Sequence, residues 1–312
     1  MTYKVLITDG LEQIGKDIIN AAGEAIDKKG IEADQLLAEV HEYHGMIVRG
    51  RTKVTRAVFE AAKNLKVVGR AGVGVDNIDL EAAKEHGVTV VNCPVATTVA
   101  VAELAFGMLL SMVRRIPYGD AGMKNEKWLK KELMGSELMG KTLGIIGYGN
   151  IGRRLAKYAQ AFGMKVICYN RRRDLDEVRS TGAEPVELED IYTQSDIISL
   201  HLPLNADSKY MINDETFAKM KDGVMIVDVA RGGVMEEAAL LRALESGTVA
   251  AAALDVFEKE PPVDWSVPKH PNIIAMPHVG GQTQEAQERA AEDIASEVMN
   301  VLQGKDLRWK IV

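Results

Sequence analysis

The chain is short of cysteine, of long apolar runs and of positive charge, and each shortage closes off a class of protein. Two cysteines, Cys93 and Cys168, stand among 312 residues with no CxxC spacing. Neither a disulfide framework nor a structural zinc site is expected from that, and reduced thiols without a bound metal are the simplest reading. The most apolar stretch, Leu104 to Val113, is broken by Gly107 and Ser111. A membrane span takes about 20 residues, roughly twice as many. The opening MTYKVLITDG holds an apolar run of three residues, Val5 to Ile7, too short for the core of a signal peptide. A cytoplasmic protein is therefore expected, with no membrane partner. Lys and Arg number 38 against 45 Asp and Glu, a formal charge of −7, which is not the footprint of a nucleic-acid binder. Fixed-period repeats, low-complexity tracts and Pro/Gly/Ser linkers are also missing. What remains is ordinary globular composition, 46% hydrophobic and 27% charged, in a chain long enough for about two domains.

Short β-branched runs alternate with amphipathic helical segments. Val5–Ile7, Met46–Val48, Lys66–Gly69 and Val88–Val91 read as strands, with helical segments at Thr55–Ala62 and Leu80–His86 between them. Gly87 is placed to end the second helix, since glycine accepts the left-handed conformation that closes one. This alternation predicts open parallel sheets covered by helices. The pattern changes near Cys93-Pro94: a long helix is expected over Val99–Val113, a second alternating series from Thr142 to about Met276, and a last helix over Thr283–Leu302. That layout predicts two domains, one of residues 1–97 with 283–312 and one of residues 98–282, with a cleft between them.

Gly147-Tyr148-Gly149-Asn150-Ile151-Gly152 follows the apolar strand Leu143–Ile146 and precedes a helix expected over Arg153–Phe162. In such a turn the first glycine permits the bend, the second lets the backbone approach a pyrophosphate, and the third lets helix and strand pack closely. Amides at the helix start then face the phosphates. An acidic residue normally ends the next strand to bind the ribose hydroxyls. Here Lys165–Tyr169 is followed by Asn170, Arg171, Arg172 and Arg173. Loss of the carboxylate and gain of guanidinium groups favour NADP(H) over NAD(H). A solvated basic face that still admits NAD(H) is the other reading.

Three polar residues close later apolar segments: Arg231 after Val224–Ala230, Glu260 after Ala251–Phe257, and His278 after Ile273–Met276. Ligands of open α/β sheets bind beyond the carboxyl ends of the strands, so all three are expected to face one site. Taken singly they have plainer readings, as a surface ion pair, a strand end before two prolines and a structural histidine. His41, His44, His86 and His270 are read as structural.

Val67-Val68-Gly69-Arg70-Ala71-Gly72, Gly74-Val75-Asp76-Asn77, the glycine motif, Ala230-Arg231-Gly232-Gly233, Leu254-Asp255-Val256-Phe257 and Pro277-His278 occur in this order. Through them the chain resembles the D-2-hydroxyacid dehydrogenases, most of all their phosphoglycerate dehydrogenase branch. The resemblance implies two doubly wound parallel-sheet α/β domains, a Rossmann-type cofactor domain inserted in a flavodoxin-like substrate domain. It implies that Arg231 binds the substrate carboxylate and polarises the carbonyl, that His278 is the general acid in reduction and base in oxidation, and that Glu260 orients the imidazole. The implied cofactor set is Gly147, Gly149, Asn150, Ile151 and Gly152, then Asn170, Arg171, Arg172, His201 and Pro203, then Val229, Ala230, Asp255 and Gly280. The implied substrate set is Arg49, Arg70, Lys130 and the backbone of Ala71, Gly72 and Val73. The expected substrate pair is 3-phosphoglycerate and 3-phosphohydroxypyruvate. Glyoxylate, hydroxypyruvate or another small 2-oxo acid is the alternative, and a dinucleotide-dependent corepressor is an alternative of another class. The helix from Val99, with Arg114-Arg115-Ile116-Pro117 after it, resembles a dimer-forming element, so a homodimer is expected. A chain ending at Val312 is expected to carry no appended regulatory domain.

Overall fold

The computed structural model describes residues 2–171 and 175–312. The chain separates into two compact units, one made of the chain up to Thr98 together with Gly281–Val312, the other of Val99–Gly280.

The first unit holds β1 (Tyr3–Ile7), β2 (Gly23–Asp27), β3 (Gly45–Val48), β4 (Val67–Arg70) and β5 (Thr89–Asn92). They form one parallel sheet in the order β2-β1-β3-β4-β5, which is the flavodoxin-like order. Successive strand residues point to opposite faces, and both faces are covered. Val5, Ile7, Ile47 and Val67 pack under the helix Gln284–Gln303 through Ala291, Ile294, Ala295 and Val298. Leu6, Met46, Val48 and Val68 pack with Leu36, Val58, Phe59 and Ala82 on the other side. Each such buried aliphatic side chain contributes about 1.5–3 kcal/mol. Thr283 caps the long helix by accepting the Ala286 N–H at 3.2 Å. Gly87 closes Leu80–Glu85 as expected, at φ +66°. β2 was not expected, because Gly-Glu-Ala-Ile-Asp offers no β-branched run; its place at the sheet edge beside β1 relaxes the demand for one.

The second unit holds β6 (Thr142–Ile146), β7 (Lys165–Tyr169), β8 (Glu184–Pro185), β9 (Ile197–Leu200), β10 (Val224–Asp228), β11 (Val249–Leu254) and β12 (Ile273–Ala275). Their order is β12-β11-β10-β9-β6-β7-β8, all parallel. The order reverses between β6 and β9, the switch point at which Rossmann folds bind dinucleotides. The helix Thr98–Val113 contributes Ala105, Leu109 and Met112 to the core on one face of this sheet. Among the described residues no helix is long and apolar enough to cross a membrane.

Candidate functional site

The glycine turn lies at the switch point, directly after β6. Gly147 has φ +98°, and a Cβ there would lie 2.4 Å from the His201 carbonyl oxygen. A Cβ at Gly152 would lie 2.5 Å from the Gly147 oxygen, so neither position admits a side chain. A Cβ at Gly149 would meet nothing within 4 Å, which leaves open space in front of the turn. The helix begins at Asn150 rather than at Arg153, with Gly149 as its N-cap and no side-chain cap. Asn150, Ile151 and Gly152 therefore supply first-turn amides, the donors that an anion needs at a helix start. This cradle fits a pyrophosphate.

Other residues of the implied cofactor set stand around the same strand ends. Asn170 follows β7, and Arg171 is exposed and ion-paired with Asp207. Arg172 lies outside the described residues. His201 follows β9; its Nε2 shares a 2.8 Å hydrogen bond with Ser199 Oγ, while Nδ1 is buried and has no partner among the described residues. Burial pushes its pKa down to about 3, so the ring stays neutral. The Pro203 carbonyl accepts from Ser208 Oγ at 2.6 Å, shaping the loop after β9. Val229 and Ala230 are buried behind β10.

The three polar strand-end residues come together in this unit. His278 Nδ1 donates to Glu260 Oε2 at 2.6 Å, and Glu260 Oε1 accepts the Phe257 N–H at 3.1 Å. The Glu260 hydrogen bond raises the His278 pKa against the opposing effect of burial. Burial pushes Glu260 up, but the His278 bond, its charge and that of Arg231 outweigh it and hold the carboxyl below its usual range. Nδ1 is thus committed to Glu260, which leaves Nε2 to exchange a proton with a ligand. His278 adopts a left-handed backbone, φ +53°. Asp255 holds that bend, accepting the Val279 and Gly280 N–H groups at 2.8 Å each. Arg231 turns back so that its Nη1 donates to the Ala230 carbonyl at 2.7 Å.

Asp228 was not expected here. It ends β10, is 2% exposed, and accepts the Ala230 N–H at 2.9 Å. Burial pushes its carboxyl up to about 7, against the pull of that bond and of Arg231. Its only signal in the sequence is a charged residue inside the run Val224–Ala230 that Arg231 closes.

In the first unit, Arg49 and Arg70 stand at the carboxyl ends of neighbouring strands β3 and β4. Arg49 Nη2 donates to Glu12 Oε2 at 2.6 Å, and its backbone N–H to Asp9 Oδ2 at 2.7 Å. Arg70 Nη1 donates to the Ala71 carbonyl at 3.0 Å. Of the three backbone amides expected to serve a substrate, two are used within the unit: Ala71 N–H goes to Val48 O and Gly72 N–H to Arg70 O. The Val73 carbonyl accepts from Asn92 Nδ2 at 2.7 Å, which fixes the turn. Lys130 is exposed and belongs to the second unit.

A model of the NAD binding domain of D-isomer specific 2-hydroxyacid dehydrogenases matches residues 106–280. The chain is 46% identical over 305 residues to D-3-phosphoglycerate dehydrogenase of Rattus norvegicus, covering 97% of this chain and 57% of that protein. It therefore spans little more than half the length of this relative. Among solved structures, TT0316 protein from Thermus thermophilus matches with a TM-score of 0.89 at 33% identity, over 99% of this chain and 100% of that one. A glyoxylate reductase from Paecilomyes thermophila matches with a TM-score of 0.91 at 30% identity, over 99% and 98%.

Proposed function

The chain belongs to the D-isomer specific 2-hydroxyacid dehydrogenases, and on that premise we propose that it is an oxidoreductase interconverting a D-2-hydroxy acid and its 2-oxo acid. The observation that carries the proposal is the 2.6 Å bond between His278 Nδ1 and Glu260, in the unit that also holds the glycine cradle. In reduction, His278 Nε2 gives its proton to the carbonyl oxygen; in oxidation it takes the hydroxyl proton. Glu260 favours the charged imidazole and keeps its ring oriented. Arg231 binds the substrate carboxylate and polarises the reacting carbonyl. A bound nicotinamide cofactor supplies or accepts the hydride.

The substrate we favour is the 3-phosphoglycerate/3-phosphohydroxypyruvate pair. The similarity to the rat protein over 97% of this chain supports it, as do two guanidinium groups, Arg49 and Arg70, on adjacent strand ends, which suit a phosphate. Lys130, exposed on the second unit, and the Val73 amide are carried as further candidate contacts, for a phosphate and for a carboxylate. A small unphosphorylated acid is the second reading, supported by the likeness to a glyoxylate reductase over nearly the whole chain.

For the cofactor, the family supplies NAD(H) binding, and Asn170 with Arg171 is our basis for preferring NADP(H). Arg171 already pairs with Asp207, so a 2′-phosphate exchanges one anionic partner for another and the preference is modest. A homodimer belongs to the same reading: Ile116, Tyr118, Met123, Trp128, Met134 and Met139 expose apolar surface on one segment of the second unit, more than isolated exposed residues account for. Two buried free thiols suit the cytoplasm.

The test is a spectrophotometric assay of 3-phosphohydroxypyruvate, hydroxypyruvate, glyoxylate and pyruvate with NADH and NADPH. Turnover fastest on the phosphorylated acid is expected. Cofactor binding without turnover on any acid defeats the enzymatic reading in favour of a corepressor-like protein.

A further inference from the structure

Glu260 sits on a loop, and the fold must hold that loop at a fixed height for its carboxylate to reach His278. Two glutamates outside the motif set lie where that restraint is needed. Glu237 begins the helix Glu237–Ser246, and Glu258 is two residues before Glu260. Glu237 N–H donates to Glu258 Oε1 at 2.9 Å, and Glu258 N–H donates to Glu237 Oε1 at 2.6 Å. Each residue thus gives its backbone donor to the other's carboxylate. Tyr210 Oη adds a third bond, donating to Glu258 Oε2 at 3.1 Å. Tyr210 itself is held at φ +50°, its N–H bonded to the Gly233 carbonyl at 2.8 Å.

This arrangement sets two like charges side by side. Burial, with the charges of Glu258 and Asp264, holds the Glu237 carboxyl above its usual range despite the bond from the Glu258 amide. A helix start accepts a single acidic residue without such a cost, so helix capping alone does not explain the pair. The loop and the Arg231 turn also touch. A Cβ on Gly232 would fall 1.7 Å from the Phe257 oxygen and 2.8 Å from the Glu258 nitrogen. The same few residues therefore tie the turn bearing Arg231 to the loop bearing Glu260.

We propose that the reciprocal Glu237–Glu258 clasp, braced by Tyr210, is a positioning device that keeps Glu260 bonded to His278 Nδ1. Glu237, Glu258 and Tyr210 are positioning residues; their effect passes through Glu260. This inference rests on the reading that Glu260 and His278 carry the proton transfer. The charged groups facing His278 are Glu260, Asp255 and Arg231, whereas the hydrogen bonds of Glu237 run to Glu258.

The experiment is an NMR titration of the His278 ring in the full chain, its signal assigned by its loss in His278→Gln, together with the pH profile of carbonyl reduction. In Glu237→Ala, the His278 titration and the high-pH limb of reduction move down by about half a pH unit or more, as expected when a carboxylate partner retreats. The kcat falls about tenfold, with cofactor affinity unchanged. Glu237→Gln keeps an acceptor for the Glu258 amide and restores both readouts. Tyr210→Phe, which removes one bond, moves them the same way by less and carries the test if Glu237→Ala does not fold. An unmoved His278 titration in a folded variant, even one with a lowered Tm, overturns the proposal. So does a Glu237→Gln variant as displaced as Glu237→Ala. Absence of turnover in the unaltered chain defeats the enzymatic reading instead, and the ring titration still reports on the clasp.

Discussion

The two sheets end in different chemistry although both are parallel and both carry their polar residues at the carboxyl ends of strands. In the first unit these ends present guanidinium groups, Arg49 and Arg70, and Arg49 is neutralised locally by Glu12. In the second they present groups whose proton affinity the fold shifts: His278 is raised by Glu260, Asp255 is raised by burial, and Asp228 is pushed up to about 7 by burial. Strand ends alone do not decide between binding and catalysis. What decides is burial together with the partner each side chain is given: a permanent cation holds an anion, whereas a half-buried imidazole on a carboxylate can change charge near neutral pH.

The contrast breaks most visibly at His278. His278→Gln is expected to lower kcat by about 10²–10⁴-fold, the range of general acid–base catalysis, while cofactor affinity measured by NAD(P)H fluorescence stays unchanged. Near-normal turnover removes the residue from the chemistry. The first unit is expected to answer differently. Arg49→Ala should raise KM for a phosphorylated acid by about tenfold or more with little change in kcat, because a charge-assisted contact to a remote phosphate is made equally in ground and transition states. A fall in kcat at constant KM contradicts that assignment.

Asp228 sharpens the comparison through stability. Its carboxyl lies above its unfolded value of about 3.9, so the folded state is favoured below that pH and loses the advantage as pH rises through about 7. Asp228→Asn keeps an acceptor for the Ala230 amide and removes the charge. It is expected to stabilise the fold by about 1–3 kcal/mol at pH 8 and to do much less at pH 5, read as Tm at both values. Equal effects at the two pH values contradict a buried charge. The smallest effect is expected at Asp207, an exposed partner. Asp207→Ala frees Arg171 and raises the NADPH-to-NADH ratio of kcat/KM by about two- to fivefold, in line with an exposed ion pair worth at most about 1 kcal/mol. A ratio that stays constant separates Arg171 from the cofactor.

The parts of this protein that could be read before folding are those set by neighbours in the chain. Gly147 and Gly152 need no side chain because of contacts with β6 and with the turn that follows β9, and the strand–turn–helix context announced that need. Arg231 and His278 each follow an apolar run that ends in a strand, and Glu260 follows the run that ends in β11 by a short loop, so their place beyond the strand ends was legible, as were the helix Thr98–Val113 and its long counterpart after Thr283. What stayed hidden depends on partners far along the chain. The Glu237–Glu258 pair spans two connections, and Arg171–Asp207 joins loops after β7 and β9. Asp228 became unusual only on burial, which no local pattern measures. The use of the Ala71 amide by Val48 of β3 likewise appears only once β3 and β4 lie side by side.

The most direct measurement of the central claim is the pH dependence of kcat/KM in both directions of the reaction, in the unaltered chain and in His278→Gln. Because Glu260 raises the imidazole above its ordinary value near 6.5, reduction should fall and oxidation should rise with pH through one shared pKa above 6.5, and both limbs should vanish in the variant. Limbs that persist without the imidazole, or that run in the same direction for both reactions, contradict the account.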